Sequence, residues 1–241
     1  MRKLLLSGVA VASIFSVPAI AADMPVKMPV KAAPPAPVFS WTGCYVGANI
    51  GGIWARDVWT DTNPPPSGEA TPHASSIVGG GQGGCDYQTG ALVFGVEGMF
   101  DWTDAKGSAP DKFGPALLEN DKYKWLSTVT GRIGYAVDRT LWYVKAGGAW
   151  VNTQHFFSNA FTGSLTQTTD GVVVGGGVEW AFAPHWSVKI EYDYMDLGKK
   201  NVRFPAPLGF PFEFKEQIHT VTVGLNYRFG DWGKGPVVAK Y

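Results

Sequence analysis

From about Trp41 to Phe229 apolar and polar residues alternate in strand-length segments, and the polar positions carry full charges. Across 172–180, Val172, Val174, Val178 and Trp180 share one parity while Glu179 takes the other. Across 186–194, Lys189, Glu191 and Asp193 oppose Trp186, Val188, Ile190, Tyr192 and Tyr194. Successive side chains of a strand point to opposite faces, so each segment is apolar on one side and ionic on the other. A soluble barrel buries the apolar face inside, whereas a membrane barrel turns it outward to lipid.

The connections separate these two possibilities. Strands are expected at about 41–54, 75–88, 91–103, 121–136, 140–153, 169–182, 186–197 and 217–229. Tight turns at Gln88-Thr89-Gly90, Val137-Asp138-Arg139 and Ala183-Pro184-His185 alternate with long polar connections at about 55–74, 104–120, 154–168 and 198–216. Short periplasmic turns and long external loops are what a barrel crossing an outer membrane requires. A soluble sandwich or lipocalin has no reason to keep that alternation. Each segment is long enough, when tilted, to cross an apolar band about 25 Å tall. Charged residues make up 17% of the chain, below the ~25% of soluble domains, while glycine (31 residues) and aromatics (14%) are abundant. The expected fold is all-β, an eight-stranded antiparallel up-and-down transmembrane β-barrel.

Ahead of the barrel, Arg2 and Lys3 precede an apolar run from Leu4 to Val17 and the small-residue stretch Ala19-Ile20-Ala21-Ala22. That is the pattern of a signal peptide, residues 1–21. A membrane-spanning helix needs about 20 apolar residues, more than this run supplies. Residues 22–40 repeat Met-Pro-Val-Lys and continue into Pro34-Pro35-Ala36-Pro37, which reads as an extended periplasmic lead-in. A peptidoglycan or periplasmic contact through Lys27 and Lys31 is the alternative. Residues 41–229 form the barrel and 230–241 a short C-terminal periplasmic tail. Without Arg2 and Lys3 the chain has 18 basic and 20 acidic residues, so no basic excess points to nucleic acid.

With the faces assigned, the interior receives Asn49 and an expected charge network of Glu97, Asp101, Lys124, Arg132, Lys145, Glu179, Lys189, Glu191, Asp193 and Arg228. These are five acids and five bases. An eight-stranded barrel is just wide enough for side chains to fill it, and unpaired buried ions cost several kcal/mol. The balance favours a plug of ion pairs over a pore; a narrow channel built on the same charges is the other reading. Trp102, Tyr123, Trp125, Tyr135, Trp142, Trp150, Trp180, Trp186 and Phe229 are expected outside, as aromatic girdles at the membrane interfaces. Cys44 and Cys85 fall on the outward face at similar heights of adjacent strands, so a disulfide is geometrically open. Export to an oxidising compartment favours it over two free thiols. Catalysis is not expected: His73, His155, His185 and His219 lack a Ser and an acid in reach for a triad. Ser187 points inward, and Ser127 lies at another height. No metal set or cofactor cradle stands out, and Gly79-Gly80-Gly81-Gln82-Gly83-Gly84 precedes no helix.

Several stretches resemble the small outer-membrane β-barrel proteins of alphaproteobacteria, the opacity-protein-like porin family. They are 41–49 (WTGCYVGAN), 94–98 (FGVEG), 131–136 (GRIGYA), 175–180 (GGGVEW), 189–194 (KIEYDY) and 223–229 (VGLNYRF). The resemblance implies an abundant surface barrel in the outer membrane, surrounded by lipid and lipopolysaccharide. Thr222, Gly224, Tyr227 and Phe229 look like the signal read by the outer-membrane assembly machinery, although twelve residues follow Phe229. Three functions stay open: a surface barrel supporting envelope integrity, a small-solute porin, and an adhesin or receptor whose external loops bind a host or phage ligand. For the last, the contact surface expected is Phe204, Phe210 and Phe212 in an aromatic- and proline-rich loop, which reads equally as a hydrophobic lid packing on the barrel mouth or dipping into the outer leaflet.

Overall fold

The computed structural model describes residues 39–61, 69–70, 73–110, 118–158, 163–203 and 211–229. Eight long strands run antiparallel: β1 (Gly43–Asp61), β3 (His73–Thr89), β4 (Leu92–Thr103), β6 (Leu118–Val137), β7 (Thr140–Ser158), β8 (Gly163–Ala183), β9 (Trp186–Arg203) and β10 (Pro211–Phe229). Two short strands, β2 (Glu69–Ala70) and β5 (Lys106–Pro110), join at the end opposite the tight turns. Each long strand pairs with its neighbour along the chain, and β1 pairs with both β3 and β10. The sheet therefore has no free edge among its long strands, which a lipid environment demands because no water satisfies a bare backbone there.

Parity holds along the segments read from the sequence. Val172, Val174 and Trp180 are exposed while Val173 and Glu179 are buried. The tight turns centre on Gly90-Ala91, Asp138-Arg139 and Pro184-His185. Gly90 (φ 61°) and Asp138 (φ 51°) take the left-handed conformation, open at little cost to glycine and tolerated by aspartate.

Two expectations need correction. Much of what was read as long loops is strand: β7 runs to Ser158 and β8 starts at Gly163, so the ribbons stand well above the membrane band. Above the band both faces meet water, and the apolar–polar contrast that marks a strand in sequence fades. The second concerns β6. Its pairing with β7 slips between Tyr123 and Trp125, a bulge that inserts an extra residue. Parity beyond it reverses, as one extra residue must make it do. Tyr123 therefore points inward, 1% exposed, rather than joining the outer girdle. Lys124, expected inside, is half-exposed at the bulge and takes no part in the interior network.

Candidate functional site

The interior is layered, and every layer follows from alternate residues of the strands. Nearest the tight turns, Trp41, Val93, Leu141, Tyr143 and Ala181 form an apolar floor. Arg228 anchors it: Nη1 donates to the Trp41 carbonyl at 2.9 Å while the guanidinium lies 4.6 Å from the indole centroid.

Above the floor lies the charge network. Arg132 Nε donates to Asp86 Oδ1 at 2.8 Å and Nη1 to Glu179 at 3.3 Å. Arg228 Nη2 donates to Asp86 at 2.8 Å. Lys145 lies 2.7 Å from Glu191 and 3.0 Å from Asp193, and Lys189 Nζ donates to Glu97 at 2.9 Å. Tyr45 donates to Glu97 at 2.6 Å, and Tyr143 donates to Glu191. A chain of amides, Asn49, Gln82 and Asn226, links Asp101 to Glu179. Both tyrosine rings lie over bare backbone. A Cβ on Gly84 would stand 2.6 Å from the Tyr45 hydroxyl, and one on Gly177 would stand 2.8 Å from that of Tyr143.

The structure brings together Glu97, Asp101, Arg132, Lys145, Glu179, Lys189, Glu191, Asp193 and Arg228, and leaves out Lys124. It adds Asp86, whose inward parity was legible because Cys85, its neighbour, faces out. Six carboxylates therefore meet four cations in this layer, and the expected even balance does not hold.

A second apolar layer closes the lumen further up, formed by Ile53, Val78, Leu126, Val151, Val173, Met195, Leu197 and Ile218 among others. Above it sits a polar group that the sequence reading missed: Asp57, Asp121, His155 and Glu216, all buried. His155, expected in an external loop, is on the inner face of β7 with Nδ1 2.6 Å from Asp121 Oδ1. These residues are beyond the apolar belt. Outward side chains on the same strands have become Arg56, Gln154, Lys215 and Gln217. Burial, then the nearby Asp121, raises the Asp57 pKa well above the carboxylate range; burial, then Asp57, does the same to Glu216. Burial lowers that of His155, which favours the neutral ring. On the exposed surface at this end, hydrogen bonds from Lys122 and Lys106 lower the pKa of Asp104.

The outer wall is apolar, with Val46, Ile50, Phe94, Val96, Ile133, Val144, Val174, Ile190 and Leu225 exposed. Trp102, Tyr135, Trp142, Trp150, Trp180, Trp186 and Phe229 are exposed as expected, joined by Trp54 and Tyr227. Cys44 and Cys85 are directly paired across β1 and β3 and form a disulfide on this outer face, S–S 2.04 Å. His219 also faces out, with Nδ1 2.8 Å from the Tyr192 hydroxyl. Thr222 and Gly224 face the lumen, while Tyr227 and Phe229 face outward. Phe204 and Phe210 lie outside the described residues, as does the side chain of Phe212, and so do residues 1–38 and 230–241. Among the described residues no group of three or more His, Cys, Asp or Glu is arranged to hold a metal ion.

A closed antiparallel ring with an apolar girdled exterior and an ionic interior is a transmembrane β-barrel of the outer-membrane type. Sequence comparison agrees over nearly the whole chain. The protein belongs to the outer membrane protein beta-barrel domain family, matched over residues 7–229. It is 33% identical to the 31 kDa outer-membrane immunogenic protein of Brucella melitensis, over 95% of this chain and all of that protein. It is 30% identical to the 22 kDa outer membrane protein of Rhizobium leguminosarum, over 70% of each. Outer membrane protein A of Escherichia fergusonii is 30% identical over 81% of this chain, which spans 51% of that longer protein. In fold it is similar to OprG of Pseudomonas aeruginosa, with TM-score 0.51 and 13% identity over 79% of this chain and 99% of that one. The protein is an outer-membrane protein of the small alphaproteobacterial barrel type.

Proposed function

We propose that this protein is a sealed surface barrel that supports the envelope mechanically and displays its tall external ribbons. The observation that carries this reading is the filled lumen. An apolar floor, a bonded network of four cations and six carboxylates, and a second apolar layer lie in series along it. Side chains joined this way leave no room for a solute, in keeping with the capacity of an eight-stranded barrel. Surface display accords with relatives that are named outer-membrane immunogenic proteins. His219 and His155 are engaged otherwise than in catalysis: His219 on the outer wall bonds Tyr192, and the buried His155 bonds Asp121.

The remaining elements are assigned on the sequence. Residues 1–21 are a signal peptide, 22–40 a periplasmic lead-in and 230–241 a tail. Thr222, Gly224, Tyr227 and Phe229 serve recognition by the assembly machinery. The external loops, Phe204, Phe210 and Phe212 included, are where a host ligand would bind, and Lys27 and Lys31 are where peptidoglycan would.

The test is conductance of the refolded, purified protein in a planar bilayer. The expected result is a folded, heat-modifiable protein that stays silent. Discrete reproducible openings would replace this reading with the porin. Among the described residues the ionic layer sets six carboxylates against four buried Lys and Arg, so any residual leak is expected to favour cations.

A further inference from the structure

The buried acids at the external mouth have no part in the reading above, and their geometry is specific. Asp57 and Glu216 are direct cross-strand partners on β1 and β10, both pointing inward and both 2% exposed. Like charges directly opposite one another on a sheet repel, and burial removes the water that would screen them. Asp121 and His155 are likewise direct partners, on β6 and β7. These two strand pairs are not neighbours in the ring, because β8 and β9 separate β7 from β10 on one side and β3 and β4 separate β1 from β6 on the other.

The contacts between the pairs therefore cross the lumen. The Tyr123 hydroxyl, on β6, donates to Asp57 Oδ2 on β1 at 2.7 Å. His155 Nε2, on β7, lies 3.9 Å from Glu216 Oε1 on β10. Among the described residues no donor makes a well-formed hydrogen bond to either Glu216 carboxylate oxygen, which has only a weak contact with Thr153, and Asp57 Oδ1 likewise lacks a donor, its carboxyl facing that of Asp121. The other described residues buried at this end, among them Ala74, Gly107, Thr153, Thr169 and Leu197, carry no ionisable group. Among the described residues, Asp57, Asp121, Tyr123, His155 and Glu216 are the titratable groups facing one another here, and no described Lys or Arg is buried with them.

We propose that Asp57, Asp121, His155 and Glu216 form a proton-held clasp across the external mouth of the barrel, closed while the acids share protons and released when they ionise. A proton between Asp57 and Asp121, whose carboxyls are within hydrogen-bond reach across the lumen, turns a repelling pair into a bonded one, and a second on Glu216 removes its repulsion of Asp57. Protonation also fits a site whose oxygens are not gathered around a metal ion. With both protons gone, three carboxylates face each other with no buried Lys or Arg among the described residues beside them, and the cost is relieved by separating β1–β10 from β6–β7 above the apolar layer. The direction follows from the raised pKa values of Asp57 and Glu216. Their contribution to stability is fully present below the ordinary carboxylate range and is lost as pH rises through the folded-state values. Only the part of the barrel above the belt responds, because Ile53, Leu126, Val151 and Ile218 close the lumen beneath it.

The experiment is amide hydrogen exchange of the full refolded barrel from mildly acidic to mildly alkaline pH, corrected for intrinsic exchange. The amides of 55–58, 121–123, 153–155 and 215–218 are expected to lose protection by about tenfold per pH unit while one proton is being released. Those of 44–50 and 222–228 should not change. In the Asp57→Asn/Glu216→Gln double variant the loss should disappear. Protection in the wild type that is independent of pH would overturn the proposal, and that measurement stands alone if the variant does not fold. Retention of the pH response in a folded double variant would overturn it too. So would a mouth that calcium tightens and chelator loosens at constant pH, since a metal cation would then be the occupant.

Discussion

Arg132 shows how much one residue decides. Its guanidinium binds Asp86, lies 3.3 Å from Glu179, and stands 4.8 and 5.2 Å from the Tyr45 and Tyr143 ring centroids. Replacing it removes the positive centre from acids that cannot reach water. Breaking a buried ionic network by deleting one partner costs about 3–5 kcal/mol. Arg132→Met is therefore expected to lower stability by about that much, read from urea unfolding of the refolded barrel. The surface pair Lys200–Asp170, 2.9 Å apart but well exposed and screened by water, should leave the unfolding midpoint nearly unchanged when Lys200 becomes Met. Equal effects from the two substitutions would mean that the lumen is wet and the network screened.

At the scale of the element, β3 separates two uses of glycine by parity alone. Gly81 faces lipid, where an added Cβ would come no nearer than 3.5 Å to a neighbouring atom. Gly84 faces the lumen, where a Cβ would be 2.5 Å from the Val96 carbonyl oxygen and 2.6 Å from the Tyr45 hydroxyl. Gly81→Ala should leave folding intact. Gly84→Ala should destabilise by about 1–3 kcal/mol, the usual effect of overfilling a packed interior, and should displace Tyr45 from Glu97. Heat-modifiability on gels reads the first effect and Tyr45 fluorescence or exchange the second. The bulge in β6 belongs to this scale as well. No glycine or proline stands at 123–125 to announce it, so strict alternation assigned Tyr123 and Lys124 to the wrong faces. The partner strand's register fixes it, and that is a tertiary fact.

For the whole molecule, the sealed state rests on layers in series. Trimming the upper apolar layer with Leu126→Ala and Met195→Ala leaves the ion-pair layer and the floor closed, so the bilayer recording should remain silent. Opening should require loss of the ionic layer in addition. A pore produced by the apolar trims alone would show that the charged layer is no barrier. The alternation of faces, carried through eight segments with charges on one side, by itself determined the closed barrel, its lipid-facing wall and most of the interior charges, because an ion cannot face hydrocarbon. Where the strands rise above the bilayer that selection stops, and the sequence no longer says which face is inside. Only the tertiary structure decided that β1, β6, β7 and β10 continue beyond the band, that Lys124 leaves the interior, and that Asp57, Asp121, His155 and Glu216 meet there. Contacts across a lumen depend on the register and closure of the ring, which no single strand encodes.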